Sequence, residues 1–204
     1  MVTTQIQRVG AADNSLLVPL ASLKKHVAID ATEVYYDDML TDMQLAAIEW
    51  IESKARLTLR SASFDVFLDA LPYGREPIYI PLWPVTSVTS FAYVDEDGDA
   101  QTIATSSLQI ELLSQPAALY PLADAEWPRT QPEHRRAVTI RVVAGGNAQT
   151  PAMVKHAIKL LVAHWFRNRE TVITGTISKE LEKTVDALVV QFRRNYWQSF
   201  GVYQ

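Results

Sequence analysis

The sequence predicts an α+β protein: a helical bundle, in which N- and C-terminal helices pack together, with an inserted antiparallel β region of about five or six short strands. Eight of the ten prolines lie between Pro72 and Pro132. Because proline lacks the backbone N–H and breaks helices, this middle part favours strands and loops. The flanking parts contain only Pro19 and Pro151, and each stands where a helix can begin.

The length and composition are those of one globular domain. The chain has 204 residues, of which 48% are hydrophobic and 21% are charged, which is enough for a core of its own. A repeat array, a large multidomain enzyme and wholesale disorder are therefore excluded. We expect a single domain over residues 1–204, with N-terminal helices at 15–57, the β insertion at 58–147, C-terminal helices at 150–195 and an aromatic tail at 196–204.

Two helices are predicted before the β region. A short helix covers about Leu20 to Val27, and a longer one runs from Thr32, a suitable N-cap, to about Arg56. The apolar face of the longer helix comprises Tyr36, Met39, Leu40, Met43, Ala47, Trp50 and Ile51. The opposite face carries an acidic stripe of Asp38, Asp42, Glu49 and Glu52.

The predicted strands are short runs of β-forming residues bounded by proline and glycine. They are Phe64–Leu68, Ile78–Ile80, Val85–Val94, Leu108–Leu113 and Ala137–Val143. The sequence Asp95-Glu-Asp-Gly98 is a hairpin turn signal. Residues 117–132 are expected to be irregular.

Two further helices follow the β region. Gly145-Gly146 ends the last strand, and Pro151 opens a helix with a wide apolar arc. Its polar side clusters Lys155, His156, Lys159, Ala163 and Arg167. After a linker at residues 171–178, a last helix is expected over about Glu180 to Asn195.

The residues that usually carry catalysis or bind metals form no recognisable motif. The chain has no cysteine, which excludes disulfides, thiol catalysis and Cys-ligated metal sites. The four histidines match no ligand spacing such as His-Glu-x-x-His, and no nucleophile elbow, P-loop or dinucleotide fingerprint is present. No apolar run approaches the ~18 to 20 residues that span a bilayer. We expect no catalytic residue, no metal, no cofactor and no membrane partner.

Charge is distributed unevenly along the chain. From Gly145 onward there are eight Lys or Arg against four Asp or Glu, while the preceding part has a net charge of −8. The acidic stripe and a basic strip of Lys155, Lys159 and Arg167 are candidates for a subunit interface or a channel lining. They meet within one chain, meet between copies, or remain separate solvated faces. A heterologous contact between copies that closes would form a ring.

The end of the chain is rich in aromatic side chains, which are Tyr196, Trp197, Phe200 and Tyr203. Burying each would contribute roughly 1.5 to 3 kcal/mol. The tail either folds back on its own domain or docks on a partner.

Three stretches of the C-terminal third carry a family resemblance. They are Arg141-Val-Val-Ala-Gly-Gly146, Pro151-Ala-Met-Val-Lys-His-Ala-Ile158 and Leu161-Val-Ala-His-Trp-Phe-Arg-Asn-Arg-Glu170. Together with Glu49-Trp-Ile-Glu52 and the helix–strand–helix order, they resemble the head-to-tail connector (adaptor) proteins of long-tailed bacteriophages, prophages and gene transfer agents. The resemblance covers most of the chain.

The resemblance implies a structural protein without enzymatic activity. Its partners would be copies of itself in a ring of about twelve, the portal protein, a downstream head-completion or tail-joining protein, and double-stranded DNA that passes through the channel without sequence-specific binding. The aromatic tail would engage the portal. The protein would be assembled in the bacterial host cytoplasm and reside at the head–tail junction of the virion.

Two other hypotheses remain at this stage. One is a DNA-binding module that uses the basic side chains Lys155, Lys159, Arg167, Arg169, Arg193 and Arg194. The other is a small metal-dependent hydrolase that uses Asp37, Asp38, Asp42 and a histidine.

Overall fold

The computed structural model describes residues 4–11, 13, 15–168 and 179–192. These residues form four α-helices and eight strands, so the prediction of an α+β fold is confirmed. They divide into two compact units, a β unit within residues 1–13 and 61–145 and a helical unit within residues 14–60 and 146–195.

The β unit contains two antiparallel sheets. Its strands are Thr4–Val9 (β1), Ala62–Leu68 (β2), Ile78–Ile80 (β3), Val85–Val94 (β4), Ala100–Thr102 (β5), Leu108–Glu111 (β6), Ala117–Pro121 (β7) and Val138–Ala144 (β8). The first sheet has the order β1-β2-β8-β4-β5, and the second has the order β3-β7-β6. Apolar side chains alternate along β2 and β8, so that one face of each strand is buried and the other is partly exposed.

The core of the β unit takes side chains from both sheets. Phe91 of β4 stacks on Trp127, with ring centroids 5.7 Å apart. The indole Nε1 of Trp127 donates a hydrogen bond to the carbonyl of Glu76 at 2.7 Å. A buried tryptophan N–H needs such an acceptor, so the long connection after β7 is tied to the segment before β3.

The sequence predicts five or six strands, whereas the described chain contains eight. The three additional strands are β1, β5 and β7, the last of which lies in the stretch expected to be irregular. β1 is an edge strand whose residues are almost all exposed, so it lacks the alternation that marks a half-buried strand. β5 has only three residues, and β7 contains alanine and proline, which are poor β formers.

The turn predicted after β4 is confirmed. Asp95 N–H donates to the carbonyl of Asp99, and the side chain of Asp95 accepts hydrogen bonds from the backbone of Asp97 and Asp99. Gly98 adopts φ +91°, a conformation that favours glycine. Hydrogen-bond donors around the Asp95 carboxylate, led by the side-chain amide of Gln101, hold the pKa of Asp95 below its usual value.

The helical unit contains Leu20–His26 (α1), Asp37–Ala55 (α2), Ala152–Arg167 (α3) and Lys179–Val189 (α4). α3 contacts each of the other three helices, as its wide apolar arc predicts. Its buried residues are Val154, Ala157, Ile158, Leu161, Val162 and Ala163. Pro19 and Pro151 immediately precede α1 and α3, as predicted.

The second helix begins later than predicted. Thr32 does not cap it but lies in a turn before the helix, where both its N–H and its hydroxyl donate to the side chain of Asp30, at 2.8 and 2.6 Å. This local turn competes with helix formation. α2 therefore starts at Asp37, and Arg56, at φ 54°, ends it in the left-handed conformation.

Candidate interaction surfaces

The acidic stripe predicted on α2 is exposed at three of its four positions. Asp38, Asp42 and Glu49 are exposed, and their spacing along the helix places them on one face. We call these three residues, without Glu52, the acidic strip. Neither Asp38 nor Asp42 makes a hydrogen bond or ion pair with any residue that the structure describes.

The fourth residue of the predicted stripe, Glu52, does not lie on the exposed face as the sequence predicts. The side chain of Glu52 is only 12% exposed. Its Oε1 accepts hydrogen bonds from the backbone N–H groups of Leu59, at 2.8 Å, and Arg60, at 3.1 Å. Glu52 thus belongs to the interior of the helical unit, because the chain after α2 turns back over that end of the helix.

Arg60 is the charged partner of Glu52. Its buried guanidinium Nη2 lies 3.3 Å from Glu52 Oε2 and 3.2 Å from Glu49 Oε1, while its Nε is buried with no hydrogen-bond acceptor among the described residues. A buried cation is tolerated only beside compensating negative charge. The sequence contains no local signal that Arg60 is buried.

Asp37, which the hydrolase hypothesis named as a metal ligand, forms an ion pair instead. Its Oδ1 lies 2.6 Å from Nζ of Lys24, whose side chain is only 6% exposed. The same Nζ donates to the carbonyl of Ala31 at 3.3 Å. Asp37 therefore pairs with a buried lysine of α1 and ties α1 to the start of α2.

The predicted basic side chains on α3 lie on one face of the helix. Arg167 and His156 are exposed, and Lys155 and Lys159 are half-buried. We call Lys155, Lys159 and Arg167 the basic strip. Within the part of the chain that the structure describes, none of the three forms an ion pair or a side-chain hydrogen bond.

A histidine of α1 lies beside the basic strip. The rings of His26 and His156 meet edge to face with centroids 6.3 Å apart. Partial burial, and after it electrostatic interactions with His156, Lys159 and Arg167, hold the pKa of His26 below its usual value of 6.5. Sequence reasoning missed this pair, since no spacing relates residues on different helices.

An aromatic cluster joins the start of α2 to the end of α3. Tyr36 meets Phe166 at 5.4 Å and Tyr35 at 4.9 Å between ring centroids, both edge to face. Tyr35 is 80% exposed and Val34 is 71% exposed. The apolar face predicted for the longer helix included Tyr36 but not its neighbour Tyr35.

Several of the remaining predicted site residues lie outside the described residues. These are the tail residues Tyr196, Trp197, Phe200 and Tyr203 and the basic residues Arg169, Arg193 and Arg194. Of the other histidines, His134 is exposed, and His164 Nδ1 lies 3.4 Å from the amide of Asn168.

The described residues contain no group of three or more His, Asp or Glu side chains arranged to hold a metal ion. In the same part of the chain, no helix is both long and apolar enough to cross a membrane.

The amino-acid sequence matches no protein-family model and no curated protein. The fold, however, is similar to that of chains in gene transfer agent (GTA) particles. A chain in the neck of an empty GTA particle, computed with C6 symmetry, aligns with a TM-score of 0.69 at 23% identity, over 93% of this chain and 95% of that chain.

Two further solved structures show the same likeness. A chain in the neck of the native GTA particle, computed with C12 symmetry, aligns with a TM-score of 0.67 at 23% identity, over 93% of this chain and 94% of that chain. A chain in the virion of the native GTA particle aligns with the same score and identity, over 92% and 94%. The resemblance inferred from the sequence is thus confirmed at the level of the fold.

Proposed function

We propose that this chain is a head-to-tail connector, a structural and non-enzymatic component of a phage-like particle. Copies would form a ring of about twelve below the portal, extend the DNA channel and support attachment of the tail. The observation that carries the proposal is the fold shared with GTA neck chains over 93% of the chain. One of these necks was computed with C12 symmetry and the other with C6 symmetry, and a ring of twelve copies is compatible with both.

The charge of the chain suits a channel through which DNA moves. Its net charge is −4, and a protein that binds DNA tightly through phosphate contacts needs a surplus of Lys and Arg. A ring wall with this balance would let the duplex pass without sequence-specific binding. The acidic strip and the basic strip are the described surfaces that we assign to subunit contacts.

In addition to other copies of the chain, the proposed partners are the portal and a head-completion or tail-joining protein. We assign the portal contact to Tyr196, Trp197, Phe200 and Tyr203. Clusters of aromatic side chains often dominate the binding energy of an interface, and a ring would multiply a weak contact through the number of tails. The site of action would be the head–tail junction of the virion, reached after synthesis in the bacterial host cytoplasm.

The test is removal of the gene from a strain that produces the particle. We expect DNA-filled heads without tails in negative-stain micrographs, and full restoration when the chain is supplied in trans. Heads that join tails normally without the chain would reject the proposal.

A second variant examines the tail. Truncation after Asn195 should leave the thermal unfolding of the remaining chain unchanged and should prevent co-sedimentation with portal-containing heads. If the truncated chain unfolds or aggregates, the aromatic side chains belong to its own core and the portal contact lies elsewhere.

A further inference from the structure

Several charged side chains of the helical unit are neutralised within it. Lys24 pairs with Asp37, Lys54 with Glu182, and Arg60 with Glu49 and Glu52. The Lys54–Glu182 pair joins α2 to α4, and Lys54 also lies 5.3 Å from the ring centre of Trp50. Charged side chains that lack such a partner among the described residues leave net charge on the surface of the unit.

The two strips are such surfaces. Asp38 and Asp42 have no ion-pair partner among the described residues. Glu49 shares the single guanidinium of Arg60 with Glu52, so this cluster keeps a surplus of negative charge, and Glu49 is its exposed member. The basic strip has no carboxylate partner in the described chain.

The strips also match each other in length. Asp38 and Glu49 are about 17 Å apart along the axis of α2, at the rise per residue of an α-helix. Lys155 and Arg167 are about 18 Å apart along α3. Each strip carries its charges on one helix face, negative on α2 and positive on α3.

The surroundings of the basic strip reinforce its charge. The ring of His26 in α1 meets the ring of His156, which lies at the edge of the basic strip. The neighbouring Lys25 is exposed and forms no ion pair among the described residues. After partial burial, the positive charges around His26 are the causes of its lowered pKa. This surface attracts an extended array of negative charge.

We propose that the acidic strip on α2 of one copy docks on the basic strip on α3 of the next copy. The inference rests on the proposed ring and names the surfaces that close it. Each copy offers one strip of each sign, so the contact is heterologous and repeats from copy to copy, and such contacts close into rings when the rotation per copy permits.

A second copy explains more of the structure than DNA does. A DNA duplex on the basic strip would neutralise Lys155, Lys159 and Arg167 but would leave the acidic strip without a function. A second copy neutralises both strips at once. Exposed ion pairs are individually weak and are screened by salt, so the contact would be weak between two free copies and would accumulate around a closed ring.

The experiment exchanges charges between copies. A strain lacking the gene receives the full chain as wild type, as Asp42→Lys, as Lys159→Glu, or as both variants together, and tailed particles are counted. Each variant alone reverses the charge at one side of every contact, so we expect a loss of tailed particles of roughly tenfold or more, because the effect repeats around the ring.

Together the two variants should restore assembly. In a ring of alternating copies, the reversed strips face each other at one contact and the two unaltered strips face each other at the next. Restoration therefore requires that the acidic strip of one copy faces the basic strip of the next.

Matched controls separate this contact from general effects. Asp186→Lys and Lys183→Glu make the same charge changes at exposed positions of α4, outside both strips, and should leave the count of tailed particles close to that of the wild type. Thermal unfolding of each purified variant checks that it folds. If Lys159→Glu does not fold, Lys155→Glu replaces it as the variant of the basic strip, because an acidic residue near the start of a helix is well tolerated.

The outcomes are distinct. Tailed particles at the wild-type level with either single variant would overturn the inference while leaving the connector function intact, provided that the deletion strain still lacks tails. A loss with Lys159→Glu that Asp42→Lys does not relieve would also overturn it and would point to another occupant of the basic strip, such as DNA. Tails that form without any copy of the gene would instead refute the proposed function.

Discussion

The side-chain amide of Gln44 pairs with both backbone polar groups of Val18. Its Nε2 donates to the Val18 carbonyl at 3.0 Å, and its Oε1 accepts from the Val18 N–H at 2.8 Å. Both residues are almost completely buried. The amide thus imitates a strand partner for an irregular segment that packs against α2, and it satisfies two backbone groups that water cannot reach.

Replacing Gln44 by Leu should destabilise the helical unit by about 2–6 kcal/mol. Leucine fills a similar volume but leaves the N–H and the carbonyl of Val18 buried without partners, at about 1–3 kcal/mol for each group. Urea unfolding followed by far-UV circular dichroism measures the change.

The control for this variant is Gln7→Leu. Gln7 is exposed on β1, and its side chain forms no hydrogen bond among the described residues, so the same substitution should change the free energy of unfolding by less than about 0.5 kcal/mol. An equal loss in both variants would show that the pairing of Gln44 with Val18 does not matter.

Replacing Glu52 by Gln should lower the free energy of unfolding by about 2–4 kcal/mol, because the change leaves the buried guanidinium of Arg60 without its buried counter-charge. Glu49→Gln removes the other carboxylate of the same cluster. Its side chain is 66% exposed, so we expect a loss of only about 0–1 kcal/mol. Similar losses from the two variants, measured by urea unfolding, would contradict the interior role of Glu52.

Replacing Gly146 by Ala should destabilise the chain by about 1–3 kcal/mol. Gly146 adopts φ +127°, far from the left-handed region that other residues can enter. The atom nearest to an added Cβ, Oε1 of the exposed Gln149 at 2.9 Å, ends a flexible side chain that can move aside. Gly74→Ala is the matched control, because Gly74 has φ +61° and nothing within 4 Å of an added Cβ. The control should cost about 1 kcal/mol. Equal melting temperatures for the two variants would argue against additional strain at Gly146.

Stability should decrease on acidification, in part because of His26. Its pKa is lower in the folded chain than the usual 6.5, so the unfolded chain binds a proton more readily. The stabilisation from neutral His26 is complete above the unfolded pKa and is lost as the pH falls through the folded pKa. His26→Gln should therefore reduce the fall in melting temperature between about pH 7.5 and about pH 5.5.

The control for this pH dependence is His134→Gln, since His134 lies exposed in a loop. It should leave the dependence unchanged. A fall in melting temperature that is the same in both variants and in the wild type would show that His26 does not contribute.

Much of the local structure could be predicted from neighbouring residues. Strands β3 and β4 have the bounds that the sequence predicts, Ile78–Ile80 and Val85–Val94. Pro19 and Pro151 correctly mark the starts of two helices. These features depend on proline geometry and side-chain periodicity, which act within a few residues.

The errors lie where other interactions override the local pattern. Thr32 is a residue type that caps helices, but Asp30 accepts both of its donors. Glu52 stands on the polar face of its helix, yet the returning chain at Leu59 and Arg60 encloses it. A helical wheel records the direction of a side chain and not what lies beyond it.

Residue type and spacing along the chain were sufficient for the α+β class, most of the helices and strands, the resemblance to connector proteins and the charges of both strips. Three relations became visible only in the folded chain: Gln44 is buried against Val18, the returning chain encloses Glu52, and His26 lies against His156 beside the basic strip. Each joins residues that no local pattern connects, because the energy of a buried polar group depends on the partners that folding brings to it.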